Sequence, residues 1–143
     1  MREPVLDARM SLTHTVAPDD VAAFSGEVVH ELYGTACVVR EMEHVARLHI
    51  LPLLETGEGS VGREVVIRHR APVAVGEEVE FTATVSSWTR RTLTTDVVAR
   101  HGDRVIAEGH VVQGVVDADA FARNYGRSNS NDHPVTEVNS VTG

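Results

Sequence analysis

Apolar and polar residues follow one another along this chain in patterns that predict strands on both sides of one long helix. Residues 8–16 alternate, which predicts a first strand, and residues 35–54 repeat apolar positions at steps of three and four, which predicts a helix. Alternation returns in residues 64–70, 78–85, 93–99 and 105–116, and each of these segments predicts a further strand. Consecutive strands joined by short turns pair antiparallel. The order therefore predicts an α+β fold with an antiparallel sheet wrapped around one central helix.

The connecting segments carry weaker signals. Pro18-Asp19-Asp20 is typical of a helix start, and residues 21–34 predict short helical turns that serve as a lid. Pro52 predicts a bent or irregular last turn of the long helix. Residues 1–123 are predicted to form one domain, and the polar, turn-rich residues 124–143 a disordered tail.

One apolar stripe of the predicted helix contains an acid. The stripe consists of Ala36, Val39, Glu43, Ala46, Ile50 and Leu53. A carboxylate on an apolar face is costly unless it is paired or protonated, and burial moves its pKa toward the range of a catalytic base or acid. The alternative is a helix rotated so that Glu43 contacts water. The pattern leaves both interpretations open.

Two further residues are candidates for chemistry. His69 shares a strand face with Val65 and Ile67, so it is either a core histidine bonded to a carbonyl or an acid–base partner of Glu43. Thr35 is either a helix N-cap or a group that steadies a thioester oxygen at the positive end of the helix. Thr35 and Glu43 are about 12 Å apart along one helix. If both act in one site, a second copy must contribute one of them, which predicts a homodimer and leaves pairing into a tetramer open.

Composition and charge exclude several classes of function. The net charge of −8 argues against nucleic acid or an anionic membrane as the main partner. The chain has no lysine for Schiff-base chemistry. Its single cysteine, Cys37, is expected to be a small side chain packed in the core. No metal-ligand spacing, apolar leader or membrane-length apolar run occurs, which predicts a soluble cytoplasmic protein that binds no metal.

Two stretches of the chain resemble a known family. They are T-A-C-V-V-R-E-M-E-H-V-A, from Thr35, and L-E-T-G-E-G-S-V-G-R-E-V-V-I-R-H-R-A-P-V-A-V-G-E-E-V, from Leu54. Both are similar to the hotdog-fold acyl-CoA thioesterases, and most closely to the fluoroacetyl-CoA thioesterase-like branch. The spacing carries the resemblance: Glu43 follows Thr35 by eight residues, Gly62 lies nineteen further on, and His69 seven beyond that.

The resemblance implies a hotdog fold, paired protomers, and a catalytic set of Thr35, Glu43 and His69 with Gly62 lining the site. Two departures concern the acyl group. The first is in the segment before Thr35, where Phe24 and Tyr33 are the only aromatic residues and Gly26 and Val29 occupy the positions of the family's two lid phenylalanines. The second is Gln113, which replaces a family arginine. We therefore place Phe24, Val29, Tyr33 and Gln113 at the substrate and expect a short or medium acyl group other than fluoroacetyl.

The predicted function is hydrolysis of an acyl-CoA or acyl-carrier thioester, with coenzyme A entering only as part of the substrate and no separate cofactor. The candidates for contacts to the coenzyme A phosphates are Arg68, Arg70, Arg90 and Arg91. The alternatives are a non-catalytic acyl-CoA or acyl-carrier binding module, and a hotdog hydratase or dehydratase.

Overall fold

A computed structural model describes residues 1–126 of the chain. Its strands are β1 (Arg9–Thr15), β2 (Val21–Phe24), β3 (Glu27–Tyr33), β4 (Glu58–His69), β5 (Glu78–Trp88), β6 (Thr92–His101) and β7 (Arg104–Asp117). Its α-helices are α1 (Thr35–Ile50) and α2 (Ala118–Tyr125), and single 3₁₀ turns occupy Pro18–Asp20 and Leu51–Leu53. The first residues of the predicted tail, Asn124 and Tyr125, thus belong to α2, and residues 127–143 lie outside the described part of the chain.

Five of the seven strands form one antiparallel sheet in the order β1-β5-β6-β7-β4, and α1 packs on one face of it. β2 and β3 form a separate hairpin. Each of the hairpin connections from β5 to β7 is short, and Gly102 takes φ +57° in the predicted turn between β6 and β7. The predicted α+β fold, an antiparallel sheet around one central helix, is confirmed.

The core fills the space between α1 and the inner face of the sheet. The helix contributes Val38, Met42, Val45, Ala46 and Ile50, and the strands contribute alternate residues such as Val79, Phe81, Ala83, Val97, Ala99 and Val111. All of these side chains are almost fully buried. This period-two burial along β5 and β6 is the pattern that the sequence predicted.

The predicted core stripe of α1 is wrong in part. Ala46 and Ile50 are buried, but Ala36 and Glu43 are exposed, and the helix buries Val38, Met42 and Val45 instead. The helix is rotated relative to the predicted stripe, so Glu43 lies on the flank that faces the edge of the sheet. The buried carboxylate of the helix is Glu41, which is 8% exposed.

Residues 21–33 form a β-hairpin rather than the predicted helical turns. Their pairing shifts register twice, between Val21 and Ala22 and again between Ala22 and Ala23, so the strands are short and bulged. Gly34 follows the hairpin, and its backbone N–H donates to Asp20 O at 2.7 Å. A Cβ at Gly34 would lie 3.1 Å from the backbone of Ala22, so the glycine lets β2 approach the start of α1.

β4 lies at the edge of the sheet and carries a bulge that matters for the site. The pairing with β7 shifts between Gly62 and Glu64, which makes Arg63 the extra residue. Without that insertion, Gly62 and Val65 would point to opposite faces, because they are an odd number of residues apart. The bulge lets Gly62 and the later residues Val65, Ile67 and His69 all face the helix.

The C-terminal end of α1 follows the prediction from Pro52. The α-helix stops at Ile50, and the proline lies in the 3₁₀ turn Leu51–Leu53 that follows. None of the helices in residues 1–126 has the length and apolar character needed to cross a membrane.

Candidate active site

The start of α1 brings two of the predicted site residues together. Thr35 Oγ1 and His69 Nδ1 are 2.8 Å apart, at hydrogen-bond distance across 34 residues of sequence. The predicted N-cap role of Thr35 is wrong, because the N-cap is Gly34 and Thr35 is the first helical residue. Its hydroxyl is therefore not used in capping and remains available to the imidazole.

The environment of His69 favours the neutral imidazole. Burial lowers the pKa of His69 below its ordinary value, the nearby backbone of Ala71 offsets part of that effect, and the nearby His30 lowers it further. Its Nε2 atom is buried and has no hydrogen-bond partner among residues 1–126. A neutral histidine beside a hydroxyl is suited to accept and return a proton.

Thr35 and His69 lie in the wall of a cavity of about 640 Å³ between the β2–β3 hairpin and α1. Of the predicted substrate residues, Phe24, Val29 and Tyr33 also line this cavity. The remaining lining residues are Val21, Ala22, Ala23, His30, Leu32, Gly34, Ala36, Cys37, Arg70, Ala71 and Pro72. The cavity therefore joins a polar pair at one wall to a mostly apolar interior.

Glu43 lines a different cavity, of about 210 Å³. Gly62 and Gln113, both predicted at the substrate, line it as well, together with His44, Arg47, Ser60 and Val111. A Cβ added to Gly62 would lie 3.3 Å from Glu43 Oε2, so the carboxylate rests against the glycine. The predicted residues thus fall into two groups on one chain: Thr35 with His69, and Glu43 with Gly62.

The predicted phosphate contacts are spread over the surface. Arg70 lines the larger cavity and forms an ion pair with Glu108 on β7. Arg68, Arg90 and Arg91 are exposed and line neither of the two cavities in the described part of the chain. Among these four arginines, only Arg70 is placed beside the candidate site.

The sequence did not indicate several of the residues that line the two cavities. In the smaller cavity, Arg47 Nη1 donates to Ser60 Oγ at 3.0 Å, and His44 Nδ1 is 3.2 Å from Glu41 Oε2. Arg47 follows Glu43 by four residues, so the helical repeat could have placed it on the same flank, whereas His44 follows by one residue and no periodicity indicated it. In the larger cavity, His30 belongs to the hairpin that was predicted as helical turns, and no pattern indicated it.

A network of acids and bases fixes the hairpin side of α1. Asp20, 3% exposed, accepts hydrogen bonds from the Ala17 N–H at 2.8 Å and from Arg40 at 2.7 Å, and its other contact is His14 Nε2 at 2.7 Å. Burial alone would raise the pKa of Asp20, but these three partners together hold it below its ordinary value. Glu41 Oε1 lies 3.4 Å from Arg40 Nε and 3.9 Å from His14 Nδ1, which extends the network along the helix.

Two other groups near the cavity stay uncharged. Tyr33 is 1% exposed and stacks on His14 with ring centroids 5.9 Å apart, and burial raises the pKa of its hydroxyl. Burial also raises the pKa of the Cys37 thiol, which disfavours the thiolate that a nucleophilic cysteine needs. No group of three or more metal-ligating side chains is arranged to hold a metal ion within residues 1–126.

The chain matches a known protein family over most of its length. The family model described as fluoroacetyl-CoA-specific thioesterase matches residues 16–119. A fluoroacetyl-CoA thioesterase of Streptantibioticus cattleyicolor is 32% identical over 91 residues, which cover 64% of this chain and 66% of that relative.

Solved structures show the same fold. A thioesterase superfamily member of Thermus thermophilus, described as a hypothetical protein, superposes with a TM-score of 0.84 at 26% identity and covers 87% of this chain and 93% of its own. A mutant of the fluoroacetyl-CoA-specific thioesterase FlK, in complex with fluoroacetate and CoA, superposes with a TM-score of 0.76 at 26% identity and covers 82% and 98%. The predicted hotdog thioesterase family is confirmed, and the chain belongs to the fluoroacetyl-CoA-specific thioesterase family.

Proposed function

We propose that this protein hydrolyses acyl-CoA thioesters with a short or medium acyl group, at a site shared between two copies of the chain. The observation that carries the proposal is the hydrogen-bonded pair of Thr35 and His69, placed at the N-terminus of α1 and open to an apolar cavity. Membership of a thioesterase family supports the same chemistry.

The N-terminus of α1 supplies the electrostatic part of the mechanism. The first backbone N–H groups of a helix have no partner within it, and the helix dipole adds partial positive charge at that end. The thioester carbonyl oxygen, which gains negative charge as the carbonyl carbon is attacked, is stabilised by these donors and by the hydroxyl of Thr35. His69 fixes the direction of that hydroxyl and carries a proton during the reaction.

Glu43 supplies the attack on the carbonyl carbon. It either takes a proton from water, which then adds to the carbon, or adds directly to give a mixed anhydride that water hydrolyses. Both routes break the C–S bond, place a proton on the departing thiolate and consume one water to give a carboxylic acid and free CoA thiol. CoA enters and leaves as part of substrate and product, so the proposed reaction needs no other cofactor.

A second copy is needed because, within one chain, Thr35 and His69 line one cavity and Glu43 and Gly62 line another. β4 is an edge strand of twelve residues, and an edge strand presents unpaired N–H and C=O groups to a second copy. If two β4 strands pair antiparallel about the midpoint between Val65 and Val66, Gly62 of one copy lies opposite His69 of the other. The Glu43 and Gly62 group then meets the Thr35 and His69 group across a twofold axis.

Release of free thiol from a panel of acyl-CoA thioesters tests the proposal. The wild-type protein is expected to release thiol, and Glu43→Ala is expected to lose at least a hundredfold in kcat without loss of thermal stability, because Glu43 is exposed. Glu80→Ala removes another exposed acid, on β5, and serves as the control, which should retain wild-type activity. Absence of thiol from every acyl-CoA, with retained binding, would instead identify a binding module.

A further inference from the structure

The cavity beside Thr35 is much larger than a two-carbon acyl group requires. At about 30 Å³ for each water-sized group, its 640 Å³ holds roughly twenty such groups. Fluoroacetyl has four non-hydrogen atoms. Fluoroacetyl and the thioester sulfur would take about five of these groups, which leaves most of the space for the pantetheine arm and for a longer acyl chain.

The wall formed by the hairpin is mostly apolar, and the part of it that β2 contributes contains small side chains. Ala22 and Ala23 lie in the middle of β2, where larger residues would fill the cavity, and Val21 and Val29 continue the same wall. Water in such a space makes few hydrogen bonds, whereas a hydrocarbon chain removes apolar surface from water.

The outer end of the hairpin leaves further apolar surface exposed. Phe24 is 70% exposed and Val29 is 63% exposed, and both also line the cavity. A chain that starts at the carbonyl beside Thr35 and runs under the hairpin would cover these side chains at its far end. The base of the hairpin is fixed by the close approach of Gly34 to Ala22, so this wall of the cavity is preformed.

We propose that the preferred acyl group is an apolar chain of about six to eight carbons, lying between the β2–β3 hairpin and α1 and selected by Ala22, Ala23 and Val29. The inference rests on the proposed thioesterase function. A chain of this size, with its carbonyl oxygen and the thioester sulfur, takes up about half of the roughly twenty groups and leaves the other half of the space to the pantetheine arm.

A chain-length series on the wild-type protein tests the inference. The values of kcat/KM for acetyl-, fluoroacetyl-, butyryl-, hexanoyl- and octanoyl-CoA should rise by roughly fourfold for each added methylene up to six or eight carbons. Fluoroacetyl-CoA should be no better than acetyl-CoA beyond its greater chemical reactivity. A maximum at two carbons, or a flat series, would overturn the inference and leave the thioesterase function intact.

A matched pair of variants tests where the chain lies. Ala23→Phe fills the cavity from β2, so the ratio of hexanoyl to acetyl kcat/KM should fall by at least tenfold. Glu31→Phe adds the same ring to β3, but Glu31 is exposed and, unlike its neighbours His30 and Leu32, does not line the cavity, so the ratio should stay at the wild-type value. An equal fall in both variants would contradict a chain lying against Ala23.

Binding separates this inference from the function on which it rests. Alkyl-CoA thioethers of two to eight carbons cannot be hydrolysed, and calorimetry gives their Kd with Glu43→Ala. Affinity that rises with length supports the chain site even if no thioester is hydrolysed. Affinity that does not depend on chain length refutes the chain site even if thioesters are hydrolysed.

Discussion

The hydroxyl of Thr35, the first residue of α1, lies 2.8 Å from Nδ1 of His69, the last residue of β4. The contact joins the positive end of the helix to the edge strand of the sheet. It exists because Gly34 takes the N-cap position and leaves the threonine side chain free.

Thr35→Ala is expected to lower kcat by about a hundredfold, since it removes a donor aimed at the developing oxyanion and leaves His69 without its partner. Thr35→Ser keeps the hydroxyl and should recover most of the activity. Both variants should unfold within a few degrees of wild type, because Thr35 is exposed and makes no cap. Steady-state kinetics and thermal unfolding check this, and wild-type kcat in Thr35→Ala would remove the residue from the mechanism.

The lowered pKa of His69 predicts an acid limb in the pH profile. The neutral imidazole is the active form, so kcat/KM should fall only when the pH drops through a pKa below the ordinary histidine value of 6.5. The unfolded state binds this proton at higher pH than the folded state, so stability should also decrease as the pH falls below 6.5. His69→Gln should abolish that limb in the residual activity. A limb at or above 6.5 in wild type would contradict the burial of the imidazole.

Gly62→Ala is expected to lower kcat by roughly tenfold or more, because its Cβ would lie 3.3 Å from Glu43 Oε2 and displace the carboxylate. Gly59→Ala on the same strand is the control, since its nearest neighbour would be Ala118 Cβ at 3.6 Å, an ordinary contact. Kinetics of the two variants side by side provide the measurement. Equal activity in both would show that the position of Glu43 against Gly62 does not matter.

The residues that carry this site could be named from the sequence, but their grouping could not. Alternation predicted the strands because one sheet face is buried, and the spacing of Thr35, Glu43, Gly62 and His69 indicated the family. The apolar stripe misplaced Glu43, because part of the flank of α1 that carries it is apolar yet uncovered within one chain. Helical periodicity alone does not distinguish a core from a surface that a second copy could cover.

The hairpin and the buried acids were missed for different physical reasons. β2 and β3 are short and bulged, and mostly exposed, so the alternation that marks a strand is interrupted. Asp20 and Glu41 can stay buried because His14 of β1 and Arg40 of α1 lie beside them and offset their charge. Such partners become neighbours only in the folded chain, so no local sequence pattern indicates them.

Asp20→Asn is expected to destabilise the fold by roughly 2 kcal/mol at neutral pH, because it leaves Arg40 and His14 facing an uncharged amide in a buried setting. The pKa of Asp20 is below its ordinary 3.8, so its contribution is complete above that pH and is lost as the pH falls further. The difference between variant and wild type should therefore shrink below about pH 4. Asp19→Asn, at an exposed neighbour, is the control for urea unfolding, and an equal effect in both would refute the network.

Mixing two inactive variants tests whether the site is shared between copies. In a dimer of Thr35→Ala with Glu43→Ala, one of the two shared sites receives both wild-type side chains and the other receives neither. Random reassortment makes half of the dimers mixed, so activity should return to about a quarter of the wild-type value. If Thr35 and Glu43 of the same chain formed each site, every site in the mixture would lack one of them and no activity would return. The assay therefore distinguishes a shared from a single-chain site without requiring the interface to be seen, provided that subunit exchange is verified with differently tagged copies.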